Sequence, residues 1–404
     1  METCIFCDNQ LTKDTKPEHI LLNALGGRKT TTKVDCSACN SDFGSTIDKE
    51  VGEQVTILRN MLQLDSGTGR GPPMLRKIPS GSDLLNITND GRPELVAKPF
   101  TIRDLGDGQF QLNITAKSPE EMARWIPDIA ASLGLTEDQV LKIIEGSQTT
   151  YTARRPDTVH HQLSFGGPLA LRSITKSCLV LWATLVGNAE VKSTAYEAAR
   201  RFVLDGDETF NTTRIFLDSR YLPRADELMQ RFGPFFNLIY VKSNDAGRVV
   251  AHFTLYNIIG WQIVLAERGG TPNQRTALIS NPLDPAKWSD TLADEIDIDF
   301  AWLVSPDYSD NFVRVKERLT AVMRHHVETE GPRELNRIAD EVFAKHGVTN
   351  PDQPVSDPEI LKKIEGDMRH RFGLHALSLP YVEHLSGKDI VARVRDALSK
   401  RDRP

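Results

Sequence analysis

Cys4-Ile5-Phe6-Cys7, Glu18-His19-Ile20, Leu25-Gly26-Gly27, Cys36-Ser37-Ala38-Cys39-Asn40 and Phe43-Gly44 follow one another at the start of the chain, and their reading decides the fold. Two residues between paired cysteines let both thiolates face one tetrahedral ion, so two such pairs complete a four-sulfur zinc shell at Cys4, Cys7, Cys36 and Cys39. On sequence alone, two disulfides or free thiols stay open. A closed four-thiolate site leaves no open position for chemistry, which makes this zinc structural. Cys178 is the fifth cysteine; it lies in an apolar helical stretch and reads as buried packing. No signal peptide is legible, so a reducing, cytoplasmic compartment is the expectation.

The 28 residues between Cys7 and Cys36 must form a small structure of their own. Glu18-His19-Ile20 reads as a short strand, Leu25-Gly26-Gly27 as a tight turn, and Thr30–Val34 as a second strand. A helix opens at Cys39-Asn40, with Phe43, Ile47, Val51, Val55, Leu58 and Leu62 along one face. The unit is strand, loop, strand and helix, stapled by zinc. Adjacent strand residues point to opposite sides, so Glu18 and His19 share a cavity only where a twist or bulge re-aims one of them.

This pattern resembles the HNH endonucleases with zinc knuckles, over roughly residues 1–65. The resemblance implies a ββα-metal fold with His19 as general base, Glu18 and Asn40 as ligands of a catalytic Mg2+ or Mn2+, and the four cysteines on zinc. It implies DNA as substrate. Two positions depart from the family: Thr31 stands where a bracing Asn is usual, and Leu21-Leu22 stand where a proline is usual. Thr31 keeps a hydroxyl for that brace. Arg70, in Asp65-Ser66-Gly67-Thr68-Gly69-Arg70-Gly71, could add charge toward a phosphate, although the segment reads better as a linker.

Hydrophobic residues make up 39% and charged residues 26% of 404, with net charge −6, an ordinary globular composition rather than that of a basic DNA-coating protein. No run of 18 charge-free apolar residues appears, so no membrane span is expected. The fold class is α+β: an N-terminal ββα-metal domain with structural zinc over 1–65, a linker over 66–97, a mixed α+β recognition or regulatory domain over 98–294, and a mainly helical C-terminal region over 295–404. Strands are expected at 100–102 and 110–114, capped helices from Ser118 and Thr136, and a core helix at Pro168–Val186. A mixed sheet is expected between 214 and 265, then separate helices at Val313–Glu328 and Pro332–Lys345. His252 shares a strand face with Thr254 and Tyr256. The tail from 388 is weakly basic.

The expected function is metal-dependent hydrolysis of DNA phosphodiesters under control of the C-terminal region. A prokaryotic antiviral effector released by a nucleotide or partner protein, and acting as a homo-oligomer where both strands are cut, is one setting. The alternative is a zinc-knuckle DNA- or protein-binding module with an inactive HNH-like site.

Overall fold

At the N-terminus, Glu18–His19 (β1) and Thr30–Thr31 (β2) form an antiparallel ribbon with Glu18 opposite Thr31 and His19 opposite Thr30. The computed structural model describes residues 2–151, 156–157, 159–348, 350 and 354–401. Between the strands the chain turns through Gly26, at φ +83°. Gly27 follows under a tight roof, where a Cβ would lie 1.9 Å from the Leu21 carbonyl oxygen. Only glycine fits there.

The helix read from Asn40 to Leu62 is observed as three segments: Ser37–Ser45 (α1), Ile47–Gln54 (α2) and Thr56–Met61 (α3). The chain leaves helical geometry at Thr46 and Val55. The spacing of four survives both breaks, and Phe43, Ile47, Val51, Val55, Leu58 and Leu62 are all buried. The strand expected to reach Val34 pairs only at Thr30 and Thr31; beyond it the Val34 carbonyl accepts from Ile5 N–H at 2.9 Å, serving the zinc knuckle instead.

The chain divides into two compact units. The first comprises residues 1–76, 86–93 and 161–329. Its central helix, Pro168–Val186 (α4), starts with proline and ends at Gly187, as expected. It is long and apolar enough to cross a membrane, yet 67% of that apolar window is buried inside the protein. It packs against α2 and a six-stranded sheet.

That sheet contains Ile215–Leu217 (β3), Asn237–Ser243 (β4), Val249–Leu255 (β5), Ile259–Ala266 (β6), Arg275–Asn281 (β7) and Asp284–Ser289 (β8), in spatial order β8-β7-β4-β5-β6-β3. Every ladder in it is antiparallel, where a mixed sheet was expected. Short turns join β4 to β5, β5 to β6 and β7 to β8; Tyr256 and Asn257 both take positive φ between β5 and β6, and such a turn returns the chain antiparallel. One face carries Ile239, Phe253 and Ile263 against α4, the other Tyr240, Val250 and Val264 against Ala225–Phe232 and Phe300–Leu303. With both faces covered, β4–β6 read as almost unbroken apolar runs. β7 and β8, more polar and nearer the edge, gave no such signal.

The second unit comprises residues 77–85, 94–160 and 330–404. Its hairpin Phe100–Gly106/Gln109–Ile114 forms as expected. Helices Ile126–Leu133, Glu137–Glu145 and Gly387–Arg401 share a core of Ile126, Ile129, Val140, Leu141, Val391 and Val394. Thr136 and Gln139 close a capping box. At Ser118 the box is half made: Ser118 Oγ accepts from Glu121 N–H, while Glu121 accepts from Lys117 N–H rather than Ser118. Between 66 and 97 the chain forms strands Leu75–Ser80, Asp83–Ile87 and Pro93–Leu95, which its glycine- and proline-rich composition had hidden. The two helices expected around Pro332 are one, Asn311–Lys345. Proline costs that helix one hydrogen bond without ending it, since good helix formers follow.

Candidate zinc and nuclease site

The four knuckle sulfurs lie within 4.8 Å of one another. Cys7 Sγ is 3.6 Å from both Cys36 and Cys39 Sγ, close to the roughly 3.8 Å edge of a tetrahedron with 2.3 Å Zn–S bonds. All four thiols are free rather than paired in disulfides. Local backbone fixes them: Cys36 caps α1, and Phe6 N–H and Cys39 N–H point at the Cys4 and Cys36 sulfurs. A hydrogen bond from Cys39 holds the Cys4 thiol down to about 5 against the opposing effect of burial. The same bond drives the Cys39 thiol far up. A zinc ion would hold all four sulfurs as thiolates, and the donor set fits that ion.

On the ribbon beside the knuckles, Glu18 is buried and His19 half-buried, the alternation a regular strand imposes. No bulge re-aims either residue. Asn40, in the first turn of α1, donates through Nδ2 to the carbonyls of Lys16 and Pro17 at 3.3 and 3.0 Å. It thereby ties the helix start to the chain entering β1. Its Oδ1 accepts no hydrogen bond among the described residues.

Sequence reasoning missed the partner of Glu18. Lys176 of α4 is 1% exposed, and its Nζ lies 2.5 Å from Glu18 Oε1 and 2.5 Å from Asp48 Oδ2. Ser173 Oγ donates to the other Asp48 oxygen at 2.5 Å. The Phe43 ring lies under the same ammonium, 5.6 Å away. Burial alone would push Lys176 down, but Asp48 and Glu18 outweigh it and its pKa is raised. Burial lifts the Glu18 carboxyl above its usual range despite the ammonium. Burial first, then the Lys176 charge, lowers His19 below an ordinary histidine. Asp35 is fully buried with neither oxygen hydrogen-bonded; burial and then the Glu18 charge push it up to about 8. The available signal was a lone lysine amid Ile174, Cys178, Leu179 and Val180 on an apolar helix.

Thr31 faces Glu18 across the ladder, and its hydroxyl accepts from Lys33 N–H at 3.2 Å. Arg70 is exposed on a loop closed by Ser66 N–H to the Arg70 carbonyl. That loop is pinned onto the Asn23–Gly27 turn: Gly67 N–H and Thr68 N–H bind the Asn23 carbonyl and side-chain oxygen at 2.9 Å each. His252 is buried at the centre of the sheet face with Gln262 and Tyr240 as ladder partners, its Nδ1 3.8 Å from Asp218. Thr254 shares that face, whereas Tyr256 has turned out of the strand. Burial lowers His252 to about 4, so it is a neutral core residue.

Residues 4–56 match the model of a family described as HNH endonuclease. The match takes in both knuckles, β1, β2, α1 and α2, and stops short of Lys176. The N-terminal part is therefore an HNH endonuclease domain carrying a cysteine cluster suited to zinc. No curated protein and no solved structure matches the chain.

Proposed function

We propose that the protein is a metal-dependent endonuclease that hydrolyses DNA phosphodiesters. The observation that carries this reading is the bond from Asn40 to Pro17 within the matched residues: it brings the helix-start amide beside the Glu18-His19 strand. His19 is the general base; it alternates with Glu18 on the ribbon, so this role requires a local twist on cation and DNA binding that turns it to the Glu18 side. Burial and the nearby ammonium keep its imidazole neutral at physiological pH, in the form that accepts a proton from water. Glu18 Oε2 and Asn40 Oδ1 are hard oxygens suited to Mg2+ or Mn2+. A divalent cation bound there supplies Lewis-acid stabilisation of the phosphorane charge and the leaving oxygen. Thr31 and Arg70 are assigned to substrate contact, Arg70 because its exposed loop is fastened to the turn between β1 and β2.

The domain division 1–65, 66–97, 98–294 and 295–404, with everything after the linker as a recognition or regulatory region, belongs to the same proposal. So does activation by a nucleotide or partner protein in antiviral defence. Plasmid cleavage with Mg2+ or Mn2+, wild type beside His19→Ala, tests the nuclease. Cleavage by wild type alone supports it; equal cleavage by both excludes His19 as base.

The second reading is a zinc-knuckle binding module with an inactive site. The capture of Glu18 Oε1 by Lys176 favours it. DNA retained on a filter without metal-dependent cleavage, with or without candidate activators, would select it.

A further inference from the structure

Lys176 lies 158 residues beyond Glu18, on a helix outside the matched segment, yet it touches that buried carboxylate directly. We propose that Lys176 is a positioning residue for Glu18: its ammonium fixes Oε1, Asp48 and Ser173 fix the ammonium, and Glu18 Oε2 is left to face a divalent cation. This rests on the nuclease reading.

Three observations carry it. Lys176 is buried on the core helix α4, where methionine or leucine would pack without the cost of burying a charge. The relay is anchored at each step: Ser173, one turn before Lys176 on α4, binds one Asp48 oxygen, and Lys176 binds the other. Finally, the anchoring is incomplete in one place. Glu18 Oε2 accepts nothing among the described residues, and the charges do not close, since two carboxylates, with Asp35 alongside, share one ammonium. A metal-ligating carboxylate is typically held through its second oxygen by an outer partner, which sets its direction.

The test uses full-length, zinc-loaded protein. Mn2+ binding is measured by electron paramagnetic resonance, alongside the Mn2+ dependence of plasmid cleavage and the zinc content. Lys176→Met is expected to weaken Mn2+ binding by about 10–100-fold, with zinc content unchanged and Lys176→Arg restoring part of the loss. His19→Ala should bind Mn2+ like wild type while failing to cleave. Should Lys176→Met not fold, Asp48→Asn, which keeps the ammonium but loosens its anchor, is expected to weaken Mn2+ binding in the same direction. Folded variants with wild-type Mn2+ affinity would overturn the proposal and leave a purely structural ion pair. Tighter binding would also overturn it, by making Lys176 a competitor for the cation. If wild type itself neither binds Mn2+ nor cleaves, with or without candidate activators, the nuclease reading fails and takes the positioning role with it. If wild type does both and Lys176→Met is unaltered, only the positioning role fails.

Discussion

Replacing Lys176 by methionine keeps most of the side-chain volume and removes one charge from a cluster that is almost wholly buried. Glu18 and Asp48 would then face each other with no cation between them, and Ser173 satisfies only one Asp48 oxygen. Breaking a buried pair in this way costs about 3–5 kcal/mol, because the remaining charge is stranded. For a unit of roughly 250 residues, about 2–4 °C per kcal/mol translates that into a fall in Tm of about 6–20 °C. The sign with pH follows from the carboxyl. Glu18 is already held above its ordinary value by burial, and without the ammonium it rises further. A carboxyl whose folded pKa is raised destabilises the protein at high pH and ceases to do so as pH falls below that value. The deficit of Lys176→Met is therefore largest at neutral and alkaline pH and shrinks toward pH 5. The triple variant Lys176→Met/Glu18→Gln/Asp48→Asn, which strands no charge, should recover most of the loss. Urea unfolding at pH 5 and pH 8 measures both points. A loss below about 1 kcal/mol, within the range of an exposed pair, or one equal at the two pH values, would refute the reasoning.

Three further outcomes are expected. Because burial and Lys176 both lower His19, the acid limb of kcat/KM should fall below the ordinary histidine value of about 6.5; a limb at or above that value removes His19 as the base. Stripping zinc with a strong chelator, or Cys36→Ser, should expose residues 4–62 to hydrogen exchange, since binding of a four-thiolate zinc is worth about 10 kcal/mol or more to the fold; unchanged protection would mean the knuckles hold without metal. Gly27→Ala should cost about 2–3 kcal/mol or more, because its Cβ would sit 1.9 Å from the Leu21 carbonyl. Gly52→Ala, whose Cβ meets only Ala24 at 3.5 Å in the helix α2, should be neutral or stabilising, and thermal melts of the pair distinguish the two sites.

The zinc knuckles, the ribbon, the buried helix face from Phe43 to Leu62 and the core helix Pro168–Val186 were determined by the sequence itself. Each rests on local rules: two-residue spacing between thiolates, alternation along a strand, recurrence every fourth residue, and proline and glycine at the ends of a helix. Asn40, Glu18 and His19 were named through the resemblance to the HNH endonucleases rather than through these rules. The sequence could not reveal what Glu18 touches. Lys176 and Asp48 come to it through folding of distant segments, and nothing local in Pro168–Val186 says which way its one interior lysine points. The antiparallel order of the central sheet also needed the tertiary structure. Strands buried on both faces lose the alternation that would give their direction, and β7 and β8 owe their strand form to neighbours rather than to composition. The breaks at Thr46 and Val55 and the continuity through Pro332 fall in the same class, because there packing against the rest of the chain outweighs the preference of single residues.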